Sequence, residues 1–234
     1  MRPNLNILPA EQRRLWPELS QIPEHFVLYG GTAVALRLGG RQSVDFDFFT
    51  DQPVSASALS RSLRFLDGAE LIQSEPNTAS FKVNRDGATT KVSFFGGLTI
   101  GRVGQPERCE DNHVWVASLL DLAAQKMKVI LVRAEPRDYH DICTLLKNGV
   151  SLPDALGAAK ALYPELNPVL SLKALTYYGE PALAAIPTGV REYLTEESAK
   201  IKSVNTVPKI ASSIGLGLSI RKARAPKRSK GIGI

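Results

Sequence analysis

Residues 44–49 read Val-Asp-Phe-Asp-Phe-Phe. Along an extended strand successive side chains point to opposite faces, so this alternation puts Asp45 and Asp47 on one face and Phe46 and Phe48 on the other. The segment therefore asks for a sheet with an apolar layer on one side and room for two carboxylates, roughly 6–7 Å apart, on the other. Such like charges repel unless solvent or a cation intervenes, and a divalent metal is the natural counter-ion.

Just upstream, His25-Phe26-Val27-Leu28-Tyr29 is a short apolar run ended by Gly30-Gly31, and Thr32 then leads into Ala33-Val34-Ala35-Leu36-Arg37-Leu38. This reads as strand, tight turn and helix. The free amides at the start of that helix favour an anion such as phosphate. Each feature has a plain structural reading, a turn in one case and a half-exposed edge strand in the other. Together, a phosphate cradle followed closely by paired carboxylates is what metal-assisted phosphoryl or nucleotidyl transfer requires. No Gly-Lys-Ser/Thr follows, so the pattern is not a Walker loop, and it is not a Rossmann fingerprint.

Gly30-Gly31-Thr32 with Arg37, followed by Ser43-Val44-Asp45-Phe46-Asp47, resembles the first motif of the AbiEii/AbiGii toxin branch of the nucleotidyltransferase superfamily, whose core is DNA polymerase beta-like. The resemblance implies an α+β (mixed α/β) fold, a mixed sheet flanked by helices with a C-terminal helical half. It implies that Asp45 and Asp47 hold catalytic magnesium and that Gly30, Gly31, Thr32, Arg37 and Ser43 contact a nucleoside triphosphate. Superfamily members often carry a third carboxylate on a later strand; the segment here is Lys91-Val92-Ser93-Phe94-Phe95, and Ser93 stands where it is expected. Serine is no general base unaided and is a poorer magnesium ligand than a carboxylate.

The 234 residues suffice for one sizeable core, and 44% hydrophobic with 22% charged residues is ordinary for a globular protein. No apolar run approaches the about 20 residues of a membrane helix, and the start lacks the apolar core of a signal peptide. Cys109 and Cys143 make neither a disulfide framework nor a metal site, so a cytoplasmic setting is expected. The net charge of +6 is local: eight basic and no acidic residues lie in 201–234, which leaves residues 1–200 at −2. That tail, rich in Gly and Ser, reads as disordered, with a loose tether to nucleic acid as its functional alternative.

The expected division is a lead-in at 1–19, a nucleotidyltransferase core at 20–105, a helical half at 106–200 and the tail. In the lead-in, Leu15, Trp16 and Leu19 can pack on the body. Pro53 can open a helix through Leu66, and strands follow over 69–75, 80–84 and 88–95, with turns at Pro76-Asn77 and Asp86-Gly87. Helices are expected from Ser118 to Val132 and from Pro136 onward, then at 153–162, 168–178 and 190–200, with starts marked by Ser118, Ser151 and Asn167. Asp121 reads as a helix-start residue at capping-box spacing. Lys126 and Arg133 are two turns apart, and Asp138 and Asp141 share a face from which both can reach Arg133, Arg137 or Lys126. Asp121 to Lys126, Arg133 and Arg137-Asp138-x-x-Asp141 resemble the downstream motifs of the same family, which implies that Lys126 grips the triphosphate, with Arg133, Asp138 and Asp141 in support.

The expected activity is thus magnesium-dependent transfer of a nucleoside monophosphate from a nucleoside triphosphate to RNA, for instance a tRNA 3′ end, or to a protein hydroxyl. The expected setting is the toxin of a toxin–antitoxin or abortive-infection system, with a cognate antitoxin and no membrane. Ser93 motivates an alternative, a nucleotide-binding or partner-binding module with weak turnover.

Overall fold

The computed structural model describes residues 1–215. The chain opens with a 3-10 turn (Leu5–Ile7), α1 (Ala10–Leu15) and a 3-10 helix (Trp16–Gln21), then forms β1 (Val27–Tyr29), α2 (Gly30–Leu38), β2 (Asp45–Phe49) and α3 (Ala56–Ser62). A meander of β3 (Glu70–Glu75), β4 (Thr78–Arg85) and β5 (Ala88–Phe95) follows, then the short β6 (Glu107–Arg108) and β7 (Trp115–Val116). The remainder is helical: α4 (Leu119–Val129), α5 (Pro136–Lys147), α6 (Leu152–Leu162), α7 (Pro168–Thr176) and α8 (Thr188–Ala199).

All seven strands join one mixed sheet in the order β3-β4-β5-β2-β1-β7-β6. β1 runs antiparallel to β2 and parallel to β7, while β2 and β5 are parallel. β1 lies inside the sheet, and all three of its residues are buried, as expected of a strand covered on both faces. β2 alternates as its sequence requires, with Phe46 and Phe48 fully buried and Asp45, Asp47 and Phe49 partly open. The Phe face is sealed by rings. Phe48 lies 5.6 Å from Phe94 of β5, and Trp16 from the lead-in lies 6.0 Å from Phe46. Leu15, Trp16 and Leu19 are all buried there, each side chain stabilising the fold by about 1.5–3 kcal/mol. The lead-in thus contributes Leu8, Leu15, Trp16 and Leu19 to the core, covering the apolar face of β2 and β5.

Local signals account for the helix starts. Ser118, Ser151 and Asn167 each accept a backbone amide at an N-terminus, from Asp121, Asp154 and Val169 respectively. The β4–β5 hairpin turns through Asp86 and Gly87, both at positive φ, as a tight two-residue hairpin needs. Among the described residues no helix is long and apolar enough to cross a membrane.

Three expectations are corrected. The helix expected from Pro53 starts at Ala56, because the Ser55 hydroxyl accepts the Ala58 amide and fixes the cap there, and regular α-helix stops at Ser62 before a 3-10 turn. The boundary at residue 105 does not divide the sheet: β7 pairs with β1 in its middle, so chain from the helical half completes the core sheet. Residues 201–215 are folded rather than loose. Arg102 and Ala211 form a bridge, the Ile210 amide donates to the Arg102 carbonyl at 2.9 Å, and Ile214 is fully buried. The basic cluster Arg221, Lys222, Arg224, Lys227, Arg228 and Lys230 lies outside the described residues.

Candidate active site

The acidic face of β2 forms the floor of a cleft of about 390 Å³. Gly30, Gly31, Arg41, Ser43, Asp45 and Asp47 line its polar end. Gly30 has φ +75°, and a Cβ there would stand 2.6 Å from Asp47 Oδ2. The glycine is thus required twice, by the left-handed turn into α2 and by the close approach of the carboxylate. A Cβ on Gly31 would meet Arg41 Nη2 at 2.5 Å and Ser43 Oγ at 2.9 Å, so the start of α2 and the loop before β2 close on each other around the cleft.

Strand register decides what stands beside the two aspartates. In the parallel β2–β5 pair Asp45 is opposite Lys91, Asp47 opposite Ser93 and Phe49 opposite Phe95, and partners in such a pair share a face. Lys91, Phe49 and Phe95 line the cleft. Ser93 is fully buried and takes a hydrogen bond from Ser80 Oγ at 3.1 Å. Burial first, and then the charge of Asp45, raise the Asp47 pKa to about 6, against the pull of Lys91, Lys126 and Arg133.

The opposite wall is built by α4 and α5. Lys126 is buried, with Nζ 2.7 Å from Asp138 Oδ1 and 2.6 Å from Asp141 Oδ2. Arg41 grips Asp141 with both arms, at 2.8 and 2.7 Å, and Arg133 Nε lies 3.0 Å from Asp138 Oδ2. Burial works against the Asp138 charge, but Lys126 and Arg133 outweigh it and hold its carboxyl below the usual range. The network pins α4, α5 and the loop before β2 to one another. Lys126 hydrogen-bonds Asp138, is ion-paired to Asp141 as well, and still lines the cleft.

The charged cleft lining comprises six cations, Arg41, Lys91, Lys126, Lys128, Arg133 and Arg137, and two anions, Asp45 and Asp47. Such a basin suits a polyanionic ligand. Residues 14–187 match the family model described as nucleotidyl transferase AbiEii toxin, type IV TA system. The chain belongs to the AbiEii toxin family. It is therefore a nucleotidyltransferase of toxin–antitoxin type. An uncharacterized protein of Aquifex aeolicus (strain VF5) is 30% identical over 194 residues, which cover 81% of this AbiEii-family chain and 91% of the relative. Two solved structures share the fold. One, from H. pylori and described as a nucleotidyltransferase, has a TM-score of 0.51 at 17% identity and covers 80% of this chain and 88% of its own. The other, the nucleotidyltransferase toxin MenT4 of Mycobacterium tuberculosis H37Rv, has a TM-score of 0.56 at 14% identity, with 80% and 81% covered.

Within this AbiEii-family site, Gly30, Gly31, Ser43, Asp45, Asp47, Lys126 and Arg133 meet at one cleft, with Asp138 and Asp141 directly beneath. Thr32 and Arg37 do not line it. Thr32 is buried and donates from Oγ1 to the Asp45 carbonyl at 2.5 Å, tying α2 to β2. Arg37 points away, to the Ala117 carbonyl at 2.7 Å, the Val116 carbonyl at 3.1 Å and Glu107 at 2.7 Å, where it satisfies the end of β7. Asp121 accepts the Val103 and Gly104 amides and the Ser118 hydroxyl, in keeping with a helix-start residue. Arg133 converges on Lys126 for a different reason than helical spacing, since α4 stops at Val129 and Asp138 draws the two together. Arg41 and Lys91 were missed. Arg41 lies two residues before Ser43 in the motif, and Lys91 is two residues from Ser93 and so on its face; both signals were legible.

Proposed function

We propose that this nucleotidyltransferase uses magnesium to transfer a nucleoside monophosphate from a nucleoside triphosphate to a hydroxyl of RNA, such as a tRNA 3′ end, or of a protein, as a cytoplasmic toxin paired with a cognate antitoxin. The observation that carries this reading is the pair Asp45 and Asp47, on one strand face at the start of α2, in a cleft whose other charged residues are all cations. The donor set fits magnesium, which accepts two carboxylates and takes its remaining ligands from substrate phosphate and water. Bound there it supplies charge neutralisation at the reacting phosphate.

The chain's own groups divide the remaining work. The amides of Gly30 and Gly31, with Ser43 and Arg41, can receive phosphate oxygens at the start of α2. Lys126, held by Asp138 and Asp141, offers its ammonium to the same ligand from the opposite wall. The acceptor oxygen attacks the α-phosphorus, the bond to the β-phosphate breaks, and pyrophosphate leaves with the electron pair. Asp45 and Asp47 are the carboxylates of the cleft lining that can take the acceptor proton.

The test incubates purified protein with magnesium, each α-labelled triphosphate in turn, and total cellular RNA and protein. Label moving to one acceptor, and lost in Asp45→Ala, is the expected result; label retained in that variant sinks the assignment. Ser93, buried against Ser80, favours a second reading in which nucleotide is held and turned over slowly. Measurable triphosphate binding without pyrophosphate release would select it.

A further inference from the structure

Of the six cations lining the cleft, four are committed to carboxylates: Arg41 to Asp141, Lys126 to Asp138 and Asp141, Arg133 to Asp138 and Glu135, and Arg137 to Glu135. Lys91 and Lys128 make no ion pair and no side-chain hydrogen bond among the described residues. Lys128 stands across the cleft on α4. Lys91 stands on the floor itself, in register with Asp45 on the adjoining parallel strand and half-buried in the middle of the sheet. Its backbone is held on both sides, by β2 and by β4 through the Lys82 pairing. The Lys91 side chain thus rises from the carboxylate face of the floor beside Asp45, two residues before the buried Ser93 that stands where a third carboxylate was expected.

We propose that Lys91 is a catalytic residue whose ammonium replaces a second metal ion in the transfer reaction. This rests on the transfer reading given above. In a two-metal site a further carboxylate holds the second cation, and the two ions together offset the charge of the attacking and leaving oxygens. Here the lining has two carboxylates, enough to compensate one divalent cation. A second divalent ion would lack a ligand of its own on the floor and would face the positive charge of Lys91. Once one cation has neutralised Asp45 and Asp47, the Lys91 charge is no longer spent on them. It then faces the oxygens of the α-phosphate as the acceptor oxygen bonds to phosphorus and the bond to the β-phosphate breaks. A lysine suits that task, as a compact charge able to meet more than one phosphate oxygen.

Two measurements test the proposal. On the unaltered protein, manganese is titrated in the presence of the four α,β-methylene triphosphates, and bound ion is counted by paramagnetic resonance. One manganese per protein–nucleotide complex is expected, and two overturn the proposal without any substitution. In Lys91→Ala, transfer from α-labelled triphosphate to total RNA is expected to lose a factor of about 100 or more in kcat, as for removal of a group that stabilises developing charge. Triphosphate affinity is expected to stay within about threefold, the pattern of a group needed in the transition state. Added ethylammonium is expected to restore part of the rate, and Lys91→Arg to keep more of it than Lys91→Ala; a purely structural counter-ion would give neither. Native kcat in Lys91→Ala, or lost affinity with kcat unchanged, overturns the proposal. If Asp45→Ala is inactive while Lys91→Ala is active, only the role of Lys91 falls. If both are active, the transfer reading falls with it.

Discussion

The floor and the wall of the cleft carry charges of the same kinds in opposite states. On the wall, Lys126, Asp138, Asp141, Arg41 and Arg133 are already partnered at 2.6–3.0 Å, and the two carboxylates are buried. On the floor, Asp45, Asp47 and Lys91 share one face of the sheet with no ion pair between them, and Asp47 is left with a raised pKa. A buried charge that has its partner holds elements together, whereas one lacking it waits for a ligand. The wall's charges are thus already spent largely on holding α4, α5 and the loop before β2 together, whereas those of the floor are left free for a ligand.

The largest expected effects separate those two roles. Asp45→Ala should cut transfer by about a thousandfold, the loss of several kcal/mol of transition-state stabilisation, while leaving the urea midpoint near that of the native chain. Asp138→Ala should do the reverse first: stranding Lys126 and Arg133 is expected to lower unfolding free energy by about 3–5 kcal/mol, measured by urea denaturation. Equal destabilisation by both substitutions would erase the distinction between floor and wall.

A smaller effect follows from Asp47. Its pKa is about 6 in the fold, against 3.8 for the free side chain, so between those values the folded protein binds the extra proton. Its contribution to stability is therefore fully present below about pH 4 and is lost as pH rises through 6, because the unfolded chain ionises it more readily. Asp47→Asn should remove that part of the slope when urea denaturation is followed across this window. Divalent-cation binding should run the opposite way and strengthen as pH rises through 6, since the carboxylate must be ionised to bind. Calorimetric titration with magnesium and triphosphate at pH 5 and 7 checks it.

The smallest expected change sharpens the edge of the site. Arg37→Ala strips partners from two backbone carbonyls and should cost about 1–3 kcal/mol of stability. Transfer per folded molecule should remain native, as the guanidinium lies outside the cleft. A lost rate at unchanged stability would return Arg37 to the nucleotide site.

Much of the site was readable from local chemistry. Period-two parity sorted Asp45 and Asp47 from Phe46 and Phe48, and the Ser118, Ser151 and Asn167 caps fixed helix starts, because each rule acts over a few residues. Thr32 and Arg37 escaped for a physical reason: a nine-residue helix presents every direction, and only docking against β2 and β7 decides which side meets the cleft. The short strands β6 and β7 and the segment 201–215 carry too few residues with a period to announce themselves. Their order comes from partners far along the chain.

By itself the sequence determined the acidic and apolar faces of β2, the glycine turn into α2 and the family resemblance, all set by spacings within a few residues. Only the tertiary structure decided that β5 lies beside β2 in the register that brings Lys91 to Asp45. Only it decided that Arg41 reaches Asp141 and that Lys126 is held by two carboxylates before any ligand arrives. Those pairings join residues dozens of positions apart, and their geometry is set when the sheet and the helices pack on one core, a choice no local pattern encodes.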